Sequence, residues 1–360
     1  MPVVAKFEID SLQYLDAEGR LVRKKLPAFA RDLAHMVELY RWMVRTRVFD
    51  AKAIALQRTG KIGTFSSCLG HEATYVGIGA AMRPEDVFAP SYREHGVQLY
   101  RGVRPREMFL FAGGDERGND YQNEPARHDF STAIPIGTQC GHAAGAALAF
   151  KIRGEKRVAV CTIGDGGTSK GDFNGAINIA GARHLPLVAV IVNNQWAISV
   201  PRRIQTGAET LAQKAIAAGL PGIQVDGNDL IAVRQAVGDA VERARAGDGG
   251  GVVECLTYRL GDHTTADDAA RYRPKEEVDA AWKKEPIRRL RTWLESQAAW
   301  DAQKEQALQA ECAAWINAEA EAYAATAAPP VTDMFDYTFA ELPEDLAAQR
   351  AAAVAIEGGH

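Results

Sequence analysis

The chain has 360 residues, of which 47% are hydrophobic and 24% are charged, and its net charge at pH 7 is −4. These values allow a large core in one or two domains, and they argue against nucleic acid or an anionic membrane as a partner. The most apolar run, residues 185–192, is too short to span a bilayer.

The N-terminus and the cysteines indicate where the protein resides. The opening stretch MPVVAKFE lacks the apolar core of a signal peptide, and it lacks the arginine and serine richness of a transit peptide. Five cysteines are scattered along the chain and form no CxxC pair. An odd, dispersed set of this kind is typical of reduced thiols, so the sequence predicts a cytoplasmic protein.

The first part of the chain combines an arm, helices and a long loop. Residues 1–28 show no periodicity and predict an irregular N-terminal arm. Residues 112–135 are polar and aperiodic, which predicts a loop. Helical spacing of apolar residues predicts helices over 31–59, 70–82 and 137–151. In the third of these helices, Gly141 and Gly145 allow a neighbouring helix to approach closely.

The second part changes from alternating elements to helices alone. Residues 152–260 alternate strand-like and helix-like runs, which predicts a mostly parallel α/β sheet. Residues 261–273 are acidic and aperiodic, so they predict a mobile loop, whereas residues 275–325 predict helices. A hinge at 328–330 precedes a tail with four apolar residues that predict docking: Met334, Phe335, Tyr337 and Phe339.

Two strand-like runs in the α/β region end in polar turns. Residues 158–163 are followed by Gly164-Asp165-Gly166, and residues 187–192 are followed by Asn193-Asn194. A helix-like run lies between the two strands. Parallel strands joined by a helix place both turns at one edge of the sheet. The sequence therefore predicts that Asp165 and Asn194 lie close together.

These turns offer hard oxygen atoms and room for a phosphate. A carboxylate, an amide oxygen and a nearby backbone carbonyl suit Mg²⁺, which also binds phosphate oxygens. Glycines let the backbone approach a phosphate, and the following helix start adds amide donors. Two other phosphate-binding motifs fit worse. A dinucleotide fingerprint requires a glycine at position 169, where this chain has serine, and a P-loop requires serine or threonine at position 171, where this chain has glycine. An ordinary βα turn with an Asn-Asn bend is the remaining alternative.

The pair of turns resembles the thiamine diphosphate motif, in which GDG is followed by NN at a similar spacing. Further stretches are similar to alpha subunits of the decarboxylating component of 2-oxo acid dehydrogenase complexes. The resemblance covers residues 30–345 and is strongest for the bacterial pyruvate type, with branched-chain features at 266–276. The stretches that carry it are 90–96, 134–139, 164–173, 193–199 and 258–265.

This resemblance implies a fold, a division of the chain and a reaction. The expected fold class is α/β, the thiamine-diphosphate-binding fold, with a mostly parallel sheet flanked by helices and a helical C-terminal region. The expected domains are an N-terminal arm (1–28), a cofactor-binding α/β domain (29–274), and a helical C-terminal region with a docking tail (275–360). The expected reaction is oxidative decarboxylation of pyruvate, with transfer of the acetyl group to a lipoyl group of the acyltransferase component.

The resemblance also implies which residues bind the cofactor. Asp165 and Asn194 are expected to bind Mg²⁺ through their side chains, and Trp196 through its backbone carbonyl. Tyr92 and Arg93 match a diphosphate-side pair, because an arginine fork suits phosphate oxygens. A surface salt bridge is the alternative role for Arg93. The remaining expected cofactor contacts are Ile134, Ile136, Gly164, Gly166, Gly167 and His263.

His263 is the expected catalytic residue. An imidazole titrates near neutrality and can donate or accept a proton during carbon–carbon cleavage and acyl transfer. Two positions depart from relatives. Ser66 stands where some relatives carry a substrate-side histidine, and Ala133 stands where branched-chain relatives carry a serine. Pro135, Thr138 and Gln139 nevertheless resemble the potassium-binding turn of those relatives. This resemblance makes K⁺ an additional candidate cofactor.

The expected partners are a beta subunit, in a heterotetramer, the lipoyl-bearing acyltransferase component and a 2-oxo acid substrate. The chain shows no second α/β block that could hold the aminopyrimidine end of the cofactor. A self-sufficient thiamine diphosphate decarboxylase therefore fits less well. The sequence also leaves open a branched-chain 2-oxo acid dehydrogenase alpha subunit and a non-catalytic binding subunit.

Overall fold

The computed structural model describes residues 1–357. Its strands are β1 (Asp10–Leu12), β2 (Val87–Ala89), β3 (Ala159–Gly164), β4 (Leu187–Asn193), β5 (Trp196–Ala197), β6 (Val200–Pro201), β7 (Gly222–Asp226) and β8 (Gly251–Leu256). Its helices are α1 (Leu33–Arg58), α2 (Glu72–Ala81), α3 (His95–Tyr100), α4 (Pro105–Ala112), α5 (Thr138–Arg153), α6 (Gly171–Arg183), α7 (Arg202–Gln205), α8 (Lys214–Ala217), α9 (Leu230–Ala246), α10 (Lys275–Trp282), α11 (Pro286–Ser296), α12 (Ala302–Ala324), α13 (Asp333–Asp336) and α14 (Glu344–Glu357). Short 3₁₀ helices cover Ala28–Arg31, Glu116–Asn119, Ala126–His128, Gly166–Ser169 and Ala269–Arg271.

Six strands form one sheet in the order β1-β7-β8-β4-β3-β2, and every pair of neighbours is parallel. β4 is rich in valine and isoleucine and is buried along its whole length, as expected for a strand covered on both faces. Its side chains alternate between two cores, with Val188 and Val190 on one face and Ala189 and Ile191 on the other. The predicted α/β fold is confirmed.

Helices cover both faces of this sheet. The core on one face combines side chains of α1, α2, α9 and α11, including Met36, Val233 and Trp293. The core on the other face combines α5 and α6, whose Ala143, Ala147 and other small side chains let the helices lie close to the strands. The three helices predicted before residue 152 are confirmed as α1, α2 and α5.

Part of the N-terminal arm belongs to the sheet, so the prediction of an irregular arm over residues 1–28 is wrong for β1. Asp229 shows how the arm is held. Its buried carboxylate accepts the backbone N–H groups of Tyr14 at 2.6 Å and of Leu15 at 2.7 Å, and it also caps α9. The sequence around residue 10 carries no strand pattern, because this strand depends on a partner far along the chain.

The C-terminal region is helical, as predicted for residues 275–325. Leu290 and Trp293 of α11 belong to the main core, while α13 and α14 bury no residue. The last three residues of the predicted region 275–360 lie outside the described residues. The division of the chain into three domains stays a prediction. Within residues 1–357, no helix is both long and apolar enough to cross a membrane.

Candidate active site

Asp165 and Asn194 follow neighbouring strands at the carboxyl edge of the sheet. β3 and β4 pair in register up to Gly164 beside Val192, so the turns that follow them lie side by side. Ligands of open α/β sheets bind outside this edge. The convergence predicted from the two motifs is present in the structure.

A cavity of about 480 Å³ opens between these turns, a size typical of cofactor sites. Ile134 does not line it; its half-exposed side chain lines an adjoining cavity instead. The ten remaining residues predicted to contact the cofactor all line the first cavity: Tyr92, Arg93, Ile136, Gly164, Asp165, Gly166, Gly167, Asn194, Trp196 and His263.

Asp165 is a buried acid with a free oxygen. The residue is 2% exposed, and its Oδ2 atom has no hydrogen-bond partner among residues 1–357. Burial raises the pKa of Asp165 to about 6, and backbone N–H groups and the charge of Arg259 oppose that rise. A buried carboxylate oxygen without a partner is costly, and a divalent cation would satisfy it.

The glycine turn, residues 164–167, packs against the hairpin formed by β5 and β6 on one side and is open on the other. A Cβ atom on Gly166 would lie 2.4 Å from the Cβ of Ala197, and one on Gly167 would lie 2.6 Å from Cγ1 of Ile163. A Cβ atom on Gly164 would meet no atom of the described chain within 4 Å. Backbone without side chains therefore lines the cavity here, which suits phosphate oxygens.

β5 and β6 form a tight hairpin that fixes the Trp196 backbone. Gln195 and Ile198 have φ angles of 74° and 57°, which are unfavourable for residues with side chains. The Trp196 N–H donates to Oδ1 of Asn194 at 3.3 Å, and the Trp196 carbonyl accepts from Nη1 of Arg259 at 3.1 Å. The predicted ligand atoms of Asn194 and Trp196 are therefore held within one small turn.

The predicted metal ligands are a carboxylate, an amide oxygen and a backbone carbonyl, all of which are donors that Mg²⁺ prefers. Within residues 1–357, no group of three or more His, Cys, Asp or Glu side chains could hold a metal ion. Asp165 would therefore be the acidic ligand of such an ion, and phosphate oxygens and water would complete its coordination. The residues present fit a magnesium ion that is bound together with a diphosphate.

Arg93 is buried and lies against His263. Its Nη2 atom donates to the His263 carbonyl at 2.8 Å and lies 3.1 Å from Nδ1, and its Nη1 atom donates to the carbonyl of Ser67. The alternative of a surface salt bridge is wrong, because the residue is buried. The Tyr92 ring meets the His263 ring edge-on, with 6.1 Å between their centroids.

His263 is held as a neutral ring. Its Nδ1 atom lies 3.1 Å from the Arg93 guanidinium and 3.4 Å from that of Arg259. Because arginine only donates, Nδ1 accepts, and the ring proton therefore lies on Nε2. Burial, followed by the charges of Arg93 and Arg259, lowers the pKa of His263 to about 4. At neutral pH the residue therefore offers an N–H donor.

The loop that carries His263 is irregular apart from its 3₁₀ turn, as predicted; its mobility stays a prediction. The backbone N–H of His263 donates to Oδ2 of Asp267 at 2.9 Å. Arg259 donates to the Tyr272 hydroxyl at 2.8 Å, and that hydroxyl donates to Asp267. Arg259 therefore connects the hairpin carbonyl of Trp196 to the loop that positions the imidazole.

A second cavity, of about 410 Å³, adjoins the first. The two share Tyr92, Ile136, Ile198 and His263, so His263 faces both. The walls of the second cavity are mainly apolar and aromatic, and they include Phe65, Met108, Phe111 and Tyr121. Ser66, which stands where some relatives carry histidine, also lines it.

Three further histidines lie outside the first cavity, and one of them, His95, lines the second. His95 is buried, stacks on Phe65 with 4.8 Å between centroids, and has a pKa that burial lowers to about 4. His142 stacks on Phe130 at the surface of α5. His128 is exposed in the long loop, 3.1 Å from the carboxylate of Glu124.

Gln205 is a cavity residue that the sequence analysis does not predict. Its Nε2 atom donates to the Gly166 carbonyl at 3.4 Å and to the Ser169 hydroxyl, so it supports the glycine turn. Its Oε1 atom is buried and has no partner within the described chain. A single glutamine in an aperiodic segment carries no pattern, and its position just after the hairpin is the only signal available.

The predicted potassium turn is held by the side chain of Gln139. Its Oε1 atom accepts the Gly137 N–H at 3.1 Å, and its Nε2 atom donates to the Thr162 carbonyl at 2.7 Å. These bonds fix the turn to β3. A potassium ion at residues 135–139 stays a prediction.

Comparison with known proteins gives a consistent result over almost the whole chain. The family model described as "Dehydrogenase E1 component" matches residues 40–332. The chain is 42% identical over 347 residues to proteins of Staphylococcus epidermidis and Staphylococcus aureus, each named "Pyruvate dehydrogenase E1 component subunit alpha". These matches cover 96% of this chain and 92% of each relative. A protein of the same name from Acholeplasma laidlawii is 41% identical over 339 residues, covering 93% of this chain and 96% of the relative.

Proposed function

Because this chain belongs to the Dehydrogenase E1 component family, we propose that it is the alpha subunit of a pyruvate dehydrogenase. In this role it decarboxylates pyruvate oxidatively and passes the acetyl group to a lipoyl group of the acyltransferase component. Family membership implies thiamine diphosphate as the cofactor and a beta subunit as a partner. The observation that carries the proposal is the buried Asp165 carboxylate, whose Oδ2 atom has no partner among residues 1–357 and which lines one cavity with Asn194 and His263.

In this proposal, Mg²⁺ is bound by Asp165, Asn194 and the Trp196 carbonyl. The ion neutralises the diphosphate, and the bare backbone at Gly164 and Gly166 lets the phosphates approach the turn. When bound, thiamine diphosphate supplies the electron sink for loss of CO₂. The family and the buried position of the site both support this assignment.

Arg93 and His263 are proposed to supply the charged group and the hydrogen-bond donor at the reacting end of the cofactor. Arg93 keeps a fixed positive charge beside the cavity, and it holds His263 through one contact to the ring Nδ1 atom and one to the backbone carbonyl. His263 presents its Nε2–H group, so it acts as a hydrogen-bond donor to oxygen or sulfur atoms of the reactants.

The partner surface is proposed to lie on α5 and α6. A Cβ atom on Gly141, Gly145 or Gly175 would meet no atom of residues 1–357 within 4 Å, so these glycines do not serve packing within the chain. Small residues on an exposed helix face suit close packing against a second chain in an α₂β₂ heterotetramer. The exposed tail, with Tyr337 83% exposed, is proposed as a second docking segment.

A branched-chain 2-oxo acid is the second candidate substrate. The second cavity is large and mainly apolar, and it borders His263, so it has room for a side chain longer than the methyl group of pyruvate. One apolar group shifts preference by only about 1–3 kcal/mol, and overlapping activity is expected.

All five cysteines are free and buried, which supports the proposal of a cytoplasmic enzyme.

The test is to co-express the chain with the product of the neighbouring beta-subunit gene and to assay decarboxylation. Pyruvate and 3-methyl-2-oxobutanoate are compared by kcat/KM. We expect the assembled pair to prefer pyruvate and the chain alone to be inactive. A preference for the branched acid would reverse the ranking, and full activity of the chain alone would indicate a self-sufficient decarboxylase.

A further inference from the structure

Glu277 of helix α10 contacts the hairpin that carries the predicted metal ligands. Its Oε1 atom accepts the indole N–H of Trp196 at 2.8 Å and the hydroxyl of Tyr258 at 2.8 Å. Trp196 forms part of β5, and Tyr258 follows β8. One carboxylate oxygen therefore connects the C-terminal helical region to the hairpin and to the strand that leads into the His263 loop.

The orientation of the Trp196 backbone depends on restraints of this kind. Left-handed φ angles at Gln195 and Ile198 flank the residue, and each costs about 1–3 kcal/mol unless the surroundings impose it. The Trp196 side chain is 5% exposed and packs on Tyr272 at 5.6 Å between centroids. Fixing the indole therefore fixes the peptide group that follows it.

The bond to Glu277 is well suited to this task. An N–H donor paired with a carboxylate is stronger than a neutral hydrogen bond, and the second donor, Tyr258, keeps the same oxygen in place. Burial, with a contribution from the Glu277 carboxylate, raises the pKa of Tyr258. Its hydroxyl therefore remains a donor throughout the neutral pH range.

We propose that Glu277 is a positioning residue that aims the Trp196 carbonyl at the cation of the cofactor site. This inference rests on the proposed function, because that cation is bound there with the diphosphate. Groups that orient metal ligands usually change metal affinity by about 10- to 100-fold when they are removed. Glu277 acts through Trp196 and touches neither the cofactor nor the reacting atoms.

The test measures metal binding directly, with the full chain assembled with its beta subunit. Mg²⁺ is titrated calorimetrically at saturating thiamine diphosphate, and Mn²⁺ binding is followed by electron paramagnetic resonance. Glu277→Ala is expected to raise the half-saturating Mg²⁺ concentration about tenfold. Glu277→Gln, whose amide oxygen still accepts, is expected to fall between this variant and the wild type. The matched control is Glu276→Ala on the same exposed turn, which should stay within about twofold of the wild type.

A double-mutant cycle separates positioning from a general effect on the fold. Trp196→Phe removes the indole donor but keeps the backbone carbonyl, so it should weaken Mg²⁺ binding by itself, and Glu277→Ala should add nothing to it. Additive effects would overturn the inference, as would a Glu277→Ala variant with wild-type Mg²⁺ affinity. If Glu277→Ala does not fold, Glu277→Gln and Trp196→Phe provide the same comparison. A wild-type assembly that binds no thiamine diphosphate would instead refute the proposed function.

Discussion

At the scale of single residues, the proposed function makes Asp165 the group on which cofactor binding should depend most. Replacing it by alanine removes the acidic ligand from a buried site and leaves the diphosphate charge poorly neutralised. We expect Asp165→Ala to weaken thiamine diphosphate binding in the presence of Mg²⁺ by about 100-fold or more. Calorimetric titration measures this change, and Asp165→Asn, which keeps the shape and one oxygen, should lose less. Unchanged affinity in the alanine variant would rule out the metal assignment.

The ionisation of His263 gives a second test at this scale. Burial and two guanidinium groups disfavour its charged form, so the folded-state pKa of about 4 lies below the ordinary value near 6.5. As the pH falls, His263 should therefore stay neutral until the pH nears 5. Histidine ring NMR titration of the cofactor-free chain measures this, with His263→Ala to assign the signal. A midpoint above 6 would contradict the described environment.

The role of His263 in turnover is separable from binding. We expect His263→Ala to lower acyl transfer to a lipoyl domain by about 100-fold or more, while thiamine diphosphate affinity changes little. The reason is that, in the proposed function, the Nε2–H group of His263 stabilises the transition state, whereas Asp165 holds the cofactor. Steady-state rates with a lipoyl domain as acceptor test this. His184→Asn serves as the control, because His184 is an exposed left-handed residue at the end of α6, where asparagine is well tolerated.

The structure shows which residue roles the sequence could predict. Asp165 and Asn194 follow apolar runs at a recognisable spacing, so their convergence was predictable. Gln205 and Glu277 were not, because each acts through contacts that are distant in sequence or through a segment without periodicity. Ile134 lines the second cavity and not the first, so its cofactor contact stays a prediction that rests on the resemblance alone.

At the scale of secondary-structure elements, the contact between the glycine turn and the β5–β6 hairpin is the critical one. A methyl group on Gly166 would meet Ala197 at 2.4 Å, so Gly166→Ala must displace the hairpin. We expect at least a tenfold loss of thiamine diphosphate affinity and a loss of stability of about 1–3 kcal/mol. Calorimetric titration and urea unfolding measure the two effects.

Gly238→Ala is the matched control for Gly166→Ala. Gly238 lies inside α9, and a Cβ atom there meets nothing in residues 1–357 within 4 Å. Alanine should therefore stabilise the helix by about 0.5–1 kcal/mol and leave cofactor affinity unchanged. Equal effects of both substitutions on binding would show that the turn–hairpin contact is not critical.

Strands with strong local patterns were predictable, and β1 was not. β3 and β4 are largely apolar runs followed by turn residues, and each differs from its predicted run, 158–163 or 187–192, by no more than one residue at either end. β1 has three residues and one buried side chain. It forms because Asp229 gathers the following backbone amides and because β7 offers a free edge, and neither cause is visible locally.

At the scale of the whole molecule, association through α5 can be tested directly. Gly145 is exposed and open, so Gly145→Trp should leave the fold of the isolated chain intact while blocking close packing by a beta subunit. We expect loss of the heterotetramer in size-exclusion chromatography with light scattering. Ala313→Trp, an equally exposed change on α12, should leave assembly intact. Normal assembly of the Gly145 variant would place the interface elsewhere.

The pairing of β1 with β7 also determines the order in which the molecule is completed during synthesis. Tyr14 and Asp229, which fix the arm, lie 215 positions apart. At about 5–20 residues per second, the ribosome needs roughly 10–40 s to make the second after the first. During that interval the N-terminal segment has no strand to pair with. β1 is therefore made before the other strands of the sheet but cannot join it until β7 has been made, and a chain terminated before β7 would leave it unpaired.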